Sequence, residues 1–107
     1  NESHKYEDLE ALWLDTLAKN PECWMAHNNL GNVYAREGRL EDGVMHYQAA
    51  LSIEPQLDEP YYNMAVALAL LGRTEEAAES FRAALRVNPS HAKARAALKA
   101  LSPAPQD

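Results

Sequence analysis

The chain has 107 residues, 10 of them Lys or Arg and 16 Asp or Glu, giving a formal net charge of −6; 47% are hydrophobic and 24% charged. That length suits one domain and not two, and the acidic balance argues against nucleic acid or an anionic lipid surface as a partner. No apolar stretch approaches the ~20 residues needed to span a bilayer, and a single cysteine, Cys23, allows no internal disulfide and leaves the compartment open.

The first predicted element is a helix over residues 5–20. Tyr6, Leu9, Trp13, Thr16 and Leu17 recur at helical spacing, and Asn20-Pro21 ends the run. Residues 1–4 read as a frayed end. From Trp24 a second helix carries Ala26, Leu30, Val33 and Tyr34 on one face and closes near Gly38, which can adopt the left-handed conformation of a helix C-terminus. The third helix buries Leu40, Val44, Tyr47, Ala50, Leu51 and Ile53. Glu41 and Asp42 sit in its first turn, where carboxylates suit the positive end of the helix dipole, and Pro55 stops it.

Residues 58–91 repeat the plan of residues 24–57. Asp58 is the expected N-cap of the fourth helix, with Glu59 and Pro60 in the first turn, an inner stripe of Met64, Ala67, Leu68 and Leu71, and Gly72 as its closure. Thr74, Glu75 and Glu76 open the fifth, which buries Ala77, Ala78, Phe81, Ala84, Leu85 and Val87. Ser90 is expected to cap a last helix over 90–101, and Pro103 and Pro105 make residues 102–107 a disordered tail.

The period behind this order is 34 residues. It relates Pro21, Pro55 and Pro89, and also Leu17, Leu51 and Leu85. Gly38-Arg39 returns as Gly72-Arg73, Tyr47 as Phe81, Gly31 as Ala65 and Asn29 as Asn63. Leu30, Gly31, Tyr34, Tyr47, Ala50 and Pro55 in one unit, and Tyr61, Ala65, Ala77, Phe81, Ala84 and Pro89 in the next, resemble the tetratricopeptide repeat family. His27 and Gly43 depart from its pattern, which asks for a large apolar residue and an alanine there. The resemblance implies an all-α fold: an α-α superhelix of about six antiparallel-stacked helices, in one domain over 1–107, with 5–20 as a half repeat. It also implies a concave groove lined mainly by the first helix of each pair.

By resemblance, the groove presents Asn28, Asn29, Asn32 and Arg36 from the first repeat, Glu59, Tyr62, Asn63 and Val66 from the second, and Lys93 from the last helix. Asparagine is a poor interior helix residue, so Asn28, Asn29 and Asn32 in one helix ask for a reason. An amide offers both donor and acceptor and can hold a peptide backbone whatever its sequence. Asn29 and Asn63, one period apart, are similar to the asparagine ladder of protein O-linked N-acetylglucosamine transferases. The plainer reading is solvation, or bonding within the repeat. The carboxylate clamp of chaperone-binding members fits less well. Asn32, Asn63 and Lys93 match it, but Asn28 and Ala97 stand where it needs a lysine and an arginine. Tyr62, Val66 and Leu70 form an apolar line that suits either packing or a partner's side chain.

Catalysis and metal binding are not expected. No nucleophile elbow or phosphate loop is present, and Cys23 with His27 supplies too few ligands. The expected function is therefore a non-catalytic scaffold that binds a peptide or protein segment, without a cofactor. Two alternatives accompany it. Residues 10–31 resemble the repeat region of bacterial multi-span membrane proteins related to glycosyltransferases, which would make this their tail. The half repeat also leaves Leu9, Trp13 and Leu17 short of a partner, a face through which a homodimer could form.

Overall fold

A computed structural model describes residues 2–101, with side chains from residue 6 onward. Six helices follow in order: α1 Glu2–Lys19, α2 Trp24–Arg36, α3 Leu40–Ile53, α4 Asp58–Leu70, α5 Thr74–Val87 and α6 Ala92–Leu101. Among the described residues there is no strand. Each helix packs on its successor, and the one substantial contact that skips a neighbour joins α2 to α4. The result is a superhelical stack with extents of 54 × 30 × 19 Å. A helix pair with one apolar stripe cannot cover it alone, so pairs stack in a row.

The two hairpin turns are built alike. Gly38 and Gly72 have φ of +84° and +82°, and no other described residue has positive φ. The Arg39 amide donates to the Tyr34 carbonyl at 2.8 Å and the Gly38 amide to Ala35 at 3.1 Å; Arg73 to Leu68 and Gly72 to Ala69 repeat the pattern at 2.9 and 3.0 Å. These are Schellman closures, which require the left-handed glycine. The arginine after each glycine then turns back onto the helix it opens: Arg39 Nε donates to Asp42 at 3.0 Å and Arg73 Nε to Glu76 at 2.7 Å.

The core follows the repeat. Leu30, Tyr47 and Phe81 are the largest fully buried side chains, with Ala26, Ala50, Ala65, Ala77 and Ala84 where helices cross closely. A methyl group on Gly31 would stand 2.6 Å from Cε1 of Tyr47, so the ring lies directly on the glycine. Gly43, where the pattern favours alanine, is less tightly enclosed: a methyl there would meet the Gly31 carbonyl oxygen at 3.1 Å, a tight contact rather than a clash.

Several boundaries differ from the expectation. Helix α1 begins at Glu2, so residues 2–4 are helical rather than frayed, and nothing in that run of sequence breaks a helix. Asn1 and the tail at 102–107 lie outside the described residues. Asp58 is not an N-cap. Leu57 holds that place without a side-chain bond, and Asp58 is helical, its Oδ2 accepting from Asn88 Nδ2 at 2.9 Å. Nor does Ser90 cap α6. Its amide closes a turn on Asn88 Oδ1 at 3.1 Å, and the helix opens after His91, whose Nδ1 accepts from the Ala94 amide at 3.1 Å. His91 stands one and two periods after Leu57 and Cys23, the N-caps of α4 and α2, and of the three it alone supplies a side-chain bond.

Candidate functional site

Where α2 faces α4, the stack opens a cleft of about 340 Å³. Five residues expected in the groove line it together: Asn32, Arg36, Tyr62, Asn63 and Val66. Leu70 joins them, 69% exposed, as does Leu40 at the start of α3. Tyr62 is held firmly, its ring 5.7 Å from Phe81 and 5.0 Å from the His91 ring.

The polar centre of the cleft is one oxygen. Tyr47 OH donates to Asn32 Oδ1 at 2.6 Å, and Asn63 Nδ2 donates to the same atom at 3.3 Å. Burial pushes the Tyr47 hydroxyl up to about 12, with the Arg36 charge opposing, so the phenol stays a donor across the physiological range. This fixes the Asn32 amide with its oxygen turned inward. Its Nδ2 is then a spare donor and Asn63 Oδ1 a spare acceptor, neither with a partner among the described residues.

Asn63 is bonded to Asn32, 31 positions away, while its period mate Asn29 sits about one turn nearer the start of α2. Asn28, Asn29, Glu59 and Lys93 do not line the cleft. Asn28 Oδ1 is buried and accepts no hydrogen bond among the described residues. Tyr47 was read only as core. The signal that could have found its second role is its hydroxyl, which the period mate Phe81 lacks.

Glu59 belongs to a different cluster. Its Oε2 is 3.2 Å from Nε2 of the buried His91, and Asp58 Oδ2 is 4.0 Å from the same nitrogen. Three ligand types within 4.8 Å invite a metal. The histidine's bonding argues against one. Because Nδ1 accepts the Ala94 amide, the neutral ring carries its proton on Nε2, the atom a metal would need. Ligating histidines show the reverse, donating from the far nitrogen.

A second histidine pair ties α2 to α3. His27 Nδ1 and His46 Nδ1 are 3.2 Å apart with ring centroids at 5.4 Å, so the two nitrogens point at each other edge to edge. His27 Nε2 lies 3.3 Å from the Pro21 carbonyl and donates to it. His27 Nδ1 is then the acceptor and His46 Nδ1–H the donor. His27 thus contributes a cross-helix bond where the family pattern has a large apolar residue. Burial, then the neighbouring His27, holds the His46 imidazole below its ordinary value. At the other side of α2, Tyr34 OH donates to Glu10 Oε2 at 2.8 Å beneath the Arg39 guanidinium, which anchors α1. Leu9, Trp13 and Leu17 are half-buried in α1, while Leu12 and Leu14 are 52% and 45% exposed.

A family model described as tetratricopeptide repeat matches residues 22–90. No curated protein matches the chain. Among solved structures, the chain is similar to the first TPR of Spaghetti (RPAP3) bound to an HSP90 peptide, at 17% identity and TM-score 0.88, over 94% of this chain and 79% of that one. It is similar to the Arabidopsis OM64 TPR domain, at 20% identity and TM-score 0.87, over 94% and 83%. It is also similar to the Yersinia enterocolitica type III secretion chaperone SycD in complex with a peptide of the translocator YopD, at 16% identity and TM-score 0.87, over 94% and 82%. At such identities the likeness shows the fold alone.

Proposed function

The chain belongs to the tetratricopeptide repeat family, and from this premise we propose that it holds an extended peptide or protein segment in the cleft between α2 and α4. The fold is that of a protein–protein interaction scaffold, and the family is generally a non-catalytic module. One observation carries the finer reading: the Asn32–Asn63 pair leaves one amide donor and one amide acceptor without a partner among the described residues. Such a pair suits the N–H and C=O of one residue of an extended segment, which point to the same side. Tyr62 and Val66 form the adjoining wall for an apolar side chain. Peptides occupy two of the similar structures, an HSP90 peptide on the RPAP3 repeat and a YopD peptide on SycD, which supports the same use here.

For so short an array the affinity should be micromolar, about −8 kcal/mol. The test is selection from a random decapeptide library on the immobilised protein, followed by titration of the selected peptides. Asn63→Ala should weaken them about tenfold while the unfolding midpoint stays put, since Tyr47 still holds Asn32. A library without binders, or binders indifferent to Asn63→Ala, would end this reading.

A further inference from the structure

The charged groups of the cleft point to a partner chemistry that the net charge of the chain does not suggest. Of the six arginines three hold a carboxylate, Arg95 donates to the Pro89 carbonyl, and Arg36 and Arg86 have no acidic partner among the described residues; of these two only Arg36 lines the cleft. Arg39 has Asp42 at 3.0 Å, Arg73 has Glu76 at 2.7 Å and Arg82 has Glu79 at 3.2 Å. Arg36 is exposed, lines the cleft and has no ion pair or hydrogen bond among the described residues. Beside it lie Val66, Leu40 and the exposed Leu70. Glu59, the one acidic residue expected in the groove, lies outside the cleft with its carboxylate against His91.

We propose that the cleft selects a segment carrying a carboxylate side chain next to an apolar one, the carboxylate pairing with Arg36 and the apolar group seated on Val66, Leu40 and Leu70. The proposal rests on the peptide-binding reading above and adds its specificity. A guanidinium presents a planar fork of donors that matches a carboxylate bidentately, a stronger contact than one between neutral groups. The Asn32 and Asn63 amides accept any backbone, so the free charge and the apolar floor are what remain to discriminate. The position is not part of the carboxylate clamp, whose arginine place is Ala97. Repulsion from the rest of the chain acts at longer range and is screened beyond roughly 8 Å at physiological salt. It slows the approach of an acidic segment more than it weakens a direct ion pair.

The experiment is a two-dimensional NMR titration of the isotope-labelled chain with three decapeptides of Ser and Gly. Their centres read Glu-Leu-Glu, Gln-Leu-Gln and Lys-Leu-Lys, and each is taken to millimolar concentration. The Glu peptide should shift the amides of Asn32, Asn63 and Val66 with an affinity about tenfold above that of the Lys peptide. In Arg36→Gln that preference should vanish while the rest of the spectrum is retained; in Arg36→Lys part of it should remain. If all three peptides shift the cleft alike, the carboxylate inference fails and peptide binding stands. If none shifts it, the peptide-binding reading fails as well.

Discussion

Replacing Gly31 by alanine tests how the groove is tied to the core. In an ordinary helix this change stabilises by about 1 kcal/mol, because glycine gives up more backbone freedom on folding. Here the added methyl would stand 2.6, 2.7 and 3.0 Å from three atoms of the Tyr47 ring. That ring is 2% exposed and its hydroxyl is fixed on Asn32 at 2.6 Å, so it has little room to retreat. Overpacking of this kind costs roughly 1–3 kcal/mol. The net expectation is a loss of about 1 kcal/mol, or about 4–8 °C in Tm for a domain of this size. The second repeat shows a relief, since it carries Ala65 with Phe81 at the same positions. Without a hydroxyl tether the ring can tilt. Gly31→Ala in a Tyr47→Phe background should therefore be nearly neutral, a coupling of about 1 kcal/mol in a double-mutant cycle. Urea unfolding of the four proteins measures it. A single Gly31→Ala mutant more stable than the parent would refute the argument, since the helix term would then stand unopposed.

Other expectations follow from the histidines. His46 is held neutral by burial, so the folded chain takes up its proton less readily than the unfolded chain, whose histidine has the ordinary value of 6.5. Its contribution to stability is therefore complete above that value and is lost as pH falls below it, through the depressed folded value. The urea midpoint should drop between pH 7.5 and pH 5, and His46→Phe should narrow the drop; an unchanged difference would discount the pair. His91→Ala removes the acceptor for the Ala94 amide at the start of α6. It should cost about 0.5–2 kcal/mol, as a lost N-cap does. Hydrogen exchange at Ala94 should quicken while the α2–α3 hairpin keeps its protection. Unaltered exchange there would show that the ring is no cap.

The fold was legible because its determinants are local and recur. Gly38 and Gly72 mark the turns, Pro55 and Pro89 follow the second helices, and Tyr47 and Phe81 mark the deepest core positions, all readable one period at a time. The helix starts were less legible. Asp58 and Ser90 are the residue types that cap helices, yet each is drawn into a bond with Asn88; α4 starts at Leu57 with no side-chain cap and α6 at His91. The site was legible as a surface but not as a network. The family resemblance placed Asn32, Arg36, Tyr62, Asn63 and Val66 on one groove. The bond between Asn32 and Asn63 joins one first helix to the next at a spacing of 31, which the 34-residue period does not mark. No periodicity could have joined His27 to His46, which lie 19 positions apart on different helices of one hairpin.

One atom described above has a mechanical meaning. Asn32 Oδ1 accepts hydrogen bonds from Tyr47 on α3 and Asn63 on α4, so three helices of two consecutive hairpins meet at one polar atom beside the buried seam of Tyr47, Leu51, Met64, Ala65 and Leu68. A guest that engages the neighbouring amide groups would therefore act on the joint between the hairpins.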